Sequence, residues 1–303
     1  MVESPFHEGE ITVQQRVGEE ELAARSSGII KDHIPTNAFE FVNKQLILIV
    51  SSLDHHQNIW TSILIGKPGF VKIMNEKTIK INFTELVSGR EDPFWENIKT
   101  NSNIGGLFID LSTRRRLKLI GKISWLEDDL NVLVDKVYPN CPRFIQRREI
   151  EVTKKEDDID PPKKGLNLTG ELKNWIRNSD TLFVGSANDR NEMDANHRGG
   201  NPGFIQVMDD HTLKIPDYPG NSMFNTFGNF MVNPKTGLLV VDFEIGKTLQ
   251  LTGTAEIVWN EENSEKETGG SRRLWIFHIN EWLETDLSKG VQWNFVDYSP
   301  FNP

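Results

Sequence analysis

Arg198 is followed directly by Gly199 and Gly200, and shortly afterwards comes Pro216-Asp217-Tyr218-Pro219-Gly220-Asn221-Ser222. These two stretches carry most of the ligand-binding chemistry in the chain. A guanidinium offers a rigid fork of donors suited to a phosphate or a carbonyl edge. Neighbouring glycines let backbone approach a ligand, and their amides can join an anion nest. The plainer reading pairs Arg198 with an acidic neighbour such as Asp194 and leaves the glycines in a turn. The second stretch follows a strand and precedes a helix, with Asn221 and Ser222 placed to cap it, and free amides at a helix start attract phosphate. An ordinary turn and cap explains it as well.

Other reactive residues are weaker candidates. Cys141 lies in YPNCPRFIQRR, within reach of activation by Arg143, Arg147 or Arg148, but without a base nearby it reads as structural. The run Arg114-Arg115-Arg116 reads as a solvated hairpin tip, although Arg116 or Lys118 could reach a phosphate across a domain interface. His197 is the one acid-base candidate, and a ring packed on a groove wall is its plainer role. The seven histidines show neither HExxH nor another metal spacing. Gly246-Lys247-Thr248 lacks the earlier glycine of a P-loop, since position 241 is Val. No GxSxG elbow or GxGxxG fingerprint follows a strand. Two sequons, at Asn82 and Asn167, lack a secretory signal to give them meaning.

The elements that must position these residues come twice. GKPGFVKIMNEKTIKI, from Gly66, returns as GNPGFIQVMDDHTLKI, from Gly200, with eight of sixteen positions identical at an offset of 134. GGLFIDLSTRRRLKLIGKISW then matches TGLLVVDFEIGKTLQLTGTAEIVW at an offset of 132, with Asp110 facing Asp242 and Gly121 facing Gly253. Such self-similarity marks a repeated structural unit. Each copy reads as a helix, short branched or alternating strands with hairpin spacing, a helix and further strands, which argues for a small antiparallel barrel. Where the copies are aligned, the apolar Trp60-Thr61-Ser62-Ile63-Leu64 faces the polar Asp194-Ala195-Asn196-His197-Arg198.

The expected organisation is an amphipathic arm over 1–36, a first unit over 37–152, a charged, proline-containing linker over 153–165 and a second unit over 166–303. A length of 303 residues suits two such cores, and a net charge of −10 opposes a general nucleic-acid or anionic-membrane role. A single cysteine leaves no intrachain disulfide. Without a secretory signal or a membrane span, a cytoplasmic location is expected.

The second unit resembles the pyridoxamine 5′-phosphate oxidase-like family of FMN-binding split barrels, in particular its predicted flavin-nucleotide-binding branch. The resemblance rests on HRGGNPGFIQVMDDHTLKIPDYPGNSMFNT, on Asn233-Pro234 before GLLVVDF, and on TLQLTGTAEIVW. The first unit shares the plan more weakly, and YPNCPRFIQRR also looks typical of that branch. The resemblance implies a mostly β fold with a few helices: two tandem split β-barrels, usually paired as a homodimer, with FMN in a groove between barrels. It implies cofactor contacts from Asn196, His197, Arg198, Gly199 and Gly200. Gly203, Phe204 and Ile205 would lie along the flavin ring. Pro216, Asp217, Tyr218, Asn221, Ser222 and Met223 would meet its ribityl and phosphate groups. Lys247 and Gln250 would reach a neighbouring site. Relatives often carry basic residues where this chain has Tyr218 and Met223, so phosphate neutralisation falls to Arg198, backbone amides or a partner barrel. The expected function is FMN binding, with a flavin-dependent oxidoreductase of unknown substrate. The alternatives are a non-catalytic module for flavin, haem or a deazaflavin, and a purely structural interaction protein.

Overall fold

A computed structural model describes residues 4–87, 92–126, 129–153, 160–287 and 290–303. The arm forms α1 (Glu8–Val17) and α2 (Glu20–Ser27), and α3 (Phe39–Asn43) opens the first unit. Strands β1 (Ile47–Leu53), β2 (Ile59–Ile65), β3 (Val71–Asn75) and β4 (Thr78–Ile81) follow, then helix α4 (Pro93–Thr100). Strands β5 (Asn103–Asp110), β6 (Arg115–Leu126) and β7 (Asp129–Pro139) close the sheet, in the order β2-β1-β5-β6-β7-β4-β3.

After β8 (Arg147–Val152) and β9 (Lys163–Gly165), the second unit runs α5 (Gly170–Asn178), β10 (Thr181–Ala187), β11 (Met193–Gly199), β12 (Gln206–Val207) and β13 (Thr212–Pro216). It continues with α6 (Asn225–Val232), β14 (Lys235–Asp242), β15 (Lys247–Val258) and β16 (Leu274–Asp286). Its order, β11-β10-β14-β15-β16-β13-β12, is that of the first sheet, element for element. The last strand, β17 (Val291–Asp297), pairs with β8 in a separate ribbon. The fold is mostly β, and all the paired strands are antiparallel. Residues 163–165 at the end of the expected linker are strand β9, paired with β16; residues 154–159 of that linker lie outside the described residues.

Local chemistry explains the elements. Strands β1, β2 and β10 are buried along their whole length, and all of β11 is buried except the half-buried Arg198. A strand in an isolated barrel would alternate; these are covered by their own core on one face and by the other unit on the other. Strand β3, away from that contact, alternates between buried and exposed positions. Helix α4 starts where Asp92 Oδ1 accepts from the Phe94 amide at 2.8 Å, with Pro93 in the first turn. Both long hairpins carry a bulge at the same point, Ile120/Gly121 and Thr252/Gly253, where a side chain would run into the opposing carbonyl of Leu133 or His278.

The two sheets meet through β1, β2 and β5 on one side and β10, β11 and β14 on the other. One apolar cluster is drawn from both, including Ile49, Ile63, Ile65 and Leu107 with Phe183, Ala195, Leu239 and Val241. Each fully buried side chain of this kind contributes about 1.5–3 kcal/mol, so the seam holds the chain together as one body. Two glycines allow the close approach. A Cβ on Gly237 would sit 2.5 Å from the Ile59 carbonyl oxygen, and one on Gly105 would sit 2.7 Å from Asp194 Cα. The arm clamps the seam from one end: α1 packs on α6, Gln14 donates to the Met223 carbonyl, and Lys31 bridges to Val137 of β7.

Candidate functional site

A cavity of about 90 Å³ opens to solvent at the seam and is built by both units. The second unit supplies the end of β11 (Asn196, His197, Arg198, Gly199), the loop residues Asp217, Tyr218, Asn221 and Ser222, and the start of α6. From the first unit come Arg116 of β6 and the loop Asn140, Cys141, Arg143 and Phe144. Three guanidiniums thus converge on one opening.

Their partners leave them available. Arg116 donates through Nε to the Cys141 carbonyl at 2.6 Å. Burial, with Arg198 adding to it, pushes its pKa down to about 10, so it is charged at neutral pH. Among the described residues, Arg198 makes only a 3.5 Å contact to the His197 carbonyl and a 3.7 Å approach to Asp217, and its buried Nε has no partner there. Asp217 is committed elsewhere, accepting from Arg273 Nε at 3.0 Å. Arg143 lies over the Phe301 ring at 5.2 Å. Positive charge here is under-compensated, which draws an anion into a partly desolvated site.

His197 sits behind the guanidiniums, 3% exposed, with neither ring nitrogen hydrogen-bonded among the described residues. Burial, together with Arg116, Arg198 and Arg148, holds its pKa well below the ordinary imidazole range, so the ring is neutral. It packs edge-on against Phe183 at 5.6 Å. A neutral imidazole with a free N–H and a free lone pair at a pocket wall can donate to or accept from a polar ligand edge. Tyr218 and Phe144, ring centroids 4.9 Å apart, form an aromatic flank, and burial pushes the Tyr218 phenol up to about 12, so it stays protonated. Phe144, Ser222 and Phe224 adopt left-handed backbone (φ 65°, 62° and 59°), an uncommon conformation for such residues and one found here in both pocket walls.

Behind the pocket lies a buried charged group. Lys118 of β6 pairs with Asp194 of β11, and Asp194 also accepts from Asn196. Asn225 donates to Glu10 of the arm and accepts from the Tyr138 hydroxyl at 3.2 Å. Burial raises the Glu10 carboxyl above its usual range. Gln146, fully buried, ties the walls together by donating to the carbonyls of Asp180 and Gly200 and accepting from the Ser299 amide at 2.7 Å.

Of the residues singled out from sequence, Asn196, His197, Arg198, Gly199, Asp217, Tyr218, Asn221 and Ser222 line this cavity. Arg116, Cys141 and Arg143, also noted in the sequence, line it too, whereas Gly200, Gly203, Phe204, Ile205, Pro216, Met223, Lys247 and Gln250 are not among its lining residues. Gly199 and Gly200 serve packing: a Cβ on Gly199 would strike the Phe144 carbonyl, and one on Gly200 would sit 2.7 Å from the Phe204 ring. Gly203 is a turn residue with φ 94°, Phe204 and Ile205 belong to the second unit's core, and Pro216 is buried at the end of β13. Met223 is fully buried against Phe6, Ala23 and Tyr138 beneath the arm. Lys247 pairs with Glu284 at 2.9 Å at the far end of the long hairpin, and Gln250 is buried against the Thr61 carbonyl. Asn221 and Ser222 do not cap α6, whose first turn follows Phe224 with no side-chain cap; Asn221 Oδ1 accepts from the Met223 amide instead. Of the arginine run only Arg115 is exposed, lying over the Phe41 ring, whereas Arg114 pairs with Asp297 and Arg116 enters the cavity.

Residues 168–285 match the family model described as Pyridoxamine 5'-phosphate oxidase. The likeness to the pyridoxamine 5′-phosphate oxidase-like split-barrel family is thus carried by the second barrel. No curated protein is detectably similar in sequence. Similar solved structures include HupZ from Group A Streptococcus, at 20% identity over 37% of this chain and 90% of that one, with a TM-score of 0.32. A putative pyridoxamine 5'-phosphate oxidase from Lactobacillus delbrueckii shows 16% identity over 38% and 93%, with a TM-score of 0.32. HutZ, the heme storage protein from Vibrio cholerae, shows 15% identity over 44% and 96%, with a TM-score of 0.26.

Proposed function

We propose that the protein binds FMN in the groove between its two barrels and acts as a flavin-dependent oxidoreductase. The observation that carries this reading is the convergence of Arg116, Arg143 and Arg198, from both barrels, on a cavity with one largely committed carboxylate. The residues fit the group: the orphaned Arg198 Nε and the under-paired Arg116 suit a phosphate, and the Tyr218–Phe144 flank suits a planar ring. When bound, a flavin supplies the electron chemistry. The chain's own residues hold the anion, shield one face of a ring and offer the neutral His197 ring to a polar edge. Arg116 and the loop residues Asn140, Cys141, Arg143 and Phe144 of the first barrel support a groove built within one chain.

The absorption spectrum of purified protein tests this. Bands near roughly 370 and 450 nm that bleach on mixing with NADH or NADPH are expected if the group is flavin in an oxidoreductase; flavin that no reductant bleaches would favour a carrier. One observation favours a second reading. A buried, neutral imidazole with both nitrogens free is also a competent iron ligand, so a Soret band abolished by His197→Ala would assign haem instead.

A further inference from the structure

Two barrels with one strand order, packed face to face, present two related seams. Strand β11 of the second barrel meets β6 of the first, and β2 of the first meets β15 of the second. The groove described above lies at the first of these contacts. The sequence offsets of 134 and 132 identify what stands at the other.

There the groove-forming chemistry has gone. Leu64 stands for Arg198 and is buried in the first barrel's core. Ile63 and Ile65 stand for His197 and Gly199 and are buried in the apolar cluster shared by the barrels. Thr248 stands for Arg116, and its hydroxyl is 2.6 Å from that of Thr285. Gln250 stands for Lys118, and its amide donates to the Thr61 carbonyl at 2.9 Å and to Ser62 Oγ at 3.0 Å. Ser62 in turn donates to Asp92 at 2.6 Å. Apart from Gln250 Oε1, which has no partner among the described residues, these buried amide, hydroxyl and carboxyl groups bond to one another across the seam, and at these positions no guanidinium or imidazole remains to meet an anion.

We propose that the chain holds one equivalent of its anionic planar ligand, with the second seam converted into a structural joint. This rests on the FMN reading above. Titration of the purified chain with FMN, counted by equilibrium dialysis, tests it. One equivalent per chain is expected. Arg198→Ala should remove it with the thermal melt retained, whereas Thr248→Ala at the other seam should leave both count and affinity as in the parent. Two equivalents in the parent, or one surviving in folded Arg198→Ala, would overturn the single-site assignment while leaving flavin binding intact. Zero saturable equivalents in the parent would overturn the FMN reading itself, and the count with it.

Discussion

Arg198 and His197 are adjacent on one strand, and their environments set opposite roles. The guanidinium is charged and loosely held; the imidazole is buried and neutral. The folded state depresses the His197 pKa, whereas the unfolded chain protonates it near about 6.5. Its contribution to stability is therefore present above that pH and lost as pH falls below it. His197→Phe is expected to shrink the fall in melting temperature between about pH 7 and 5; an unchanged acid limb would show that this ring is not what titrates. At this scale the sequence was half legible. Arg198 and the 217–222 loop stand out as donors beside glycine and a turn. Arg116 was readable only as a residue that could cross a domain interface, and Arg143 and Phe144 join it because two barrels fold against each other, which no local pattern encodes. Gly199 lines the cavity while also leaving room for the Phe144 carbonyl, and Gly200 leaves room for the Phe204 ring.

Helices and strands carry the next set of consequences. Strands β1, β2, β5, β6, β10, β11 and β14 to β16 are readable as branched or alternating runs. Strand β7 is not, because its apolar positions are interrupted by Asn131, Asp135 and Lys136 and no turn signal separates it cleanly from β6. Helix α4 begins at Asp92, whose carboxyl burial pushes up to about 6. A carboxyl raised in the fold stabilises at acid pH and loses that contribution as pH rises through about 6. Asp92→Asn should therefore remove a decline in stability between about pH 4 and 6, seen as a flatter profile of melting temperature against pH. Helix α1 rests on α6 where a Cβ on Gly228 would lie 2.6 Å from the Glu10 amide nitrogen. Gly228→Ala should cost about 1–3 kcal/mol and expose the arm to limited proteolysis; an arm as resistant as the parent's would mean that α1 is held elsewhere.

The molecule as a whole is a pair of barrels in one chain, with its candidate site at their joint. No helix among the described residues is long and apolar enough to cross a membrane. Gly237→Val would force a side chain into the Ile59 carbonyl and Trp60 Cα. It should lower stability by at least about 1–3 kcal/mol and weaken ligand binding together with it, because the groove exists only while the barrels are joined. The central claim is that both barrels hold one anionic, planar ligand, and Arg116 is its most direct probe because it lies in the barrel that carries the weaker family likeness. Quenching of flavin fluorescence on titrating FMN with parent and Arg116→Ala protein should show binding about 10- to 100-fold weaker in the variant, the loss of about 1.5–3 kcal/mol that a charged hydrogen bond supplies. Equal affinity in the two proteins would place the ligand in the second barrel alone and contradict the account.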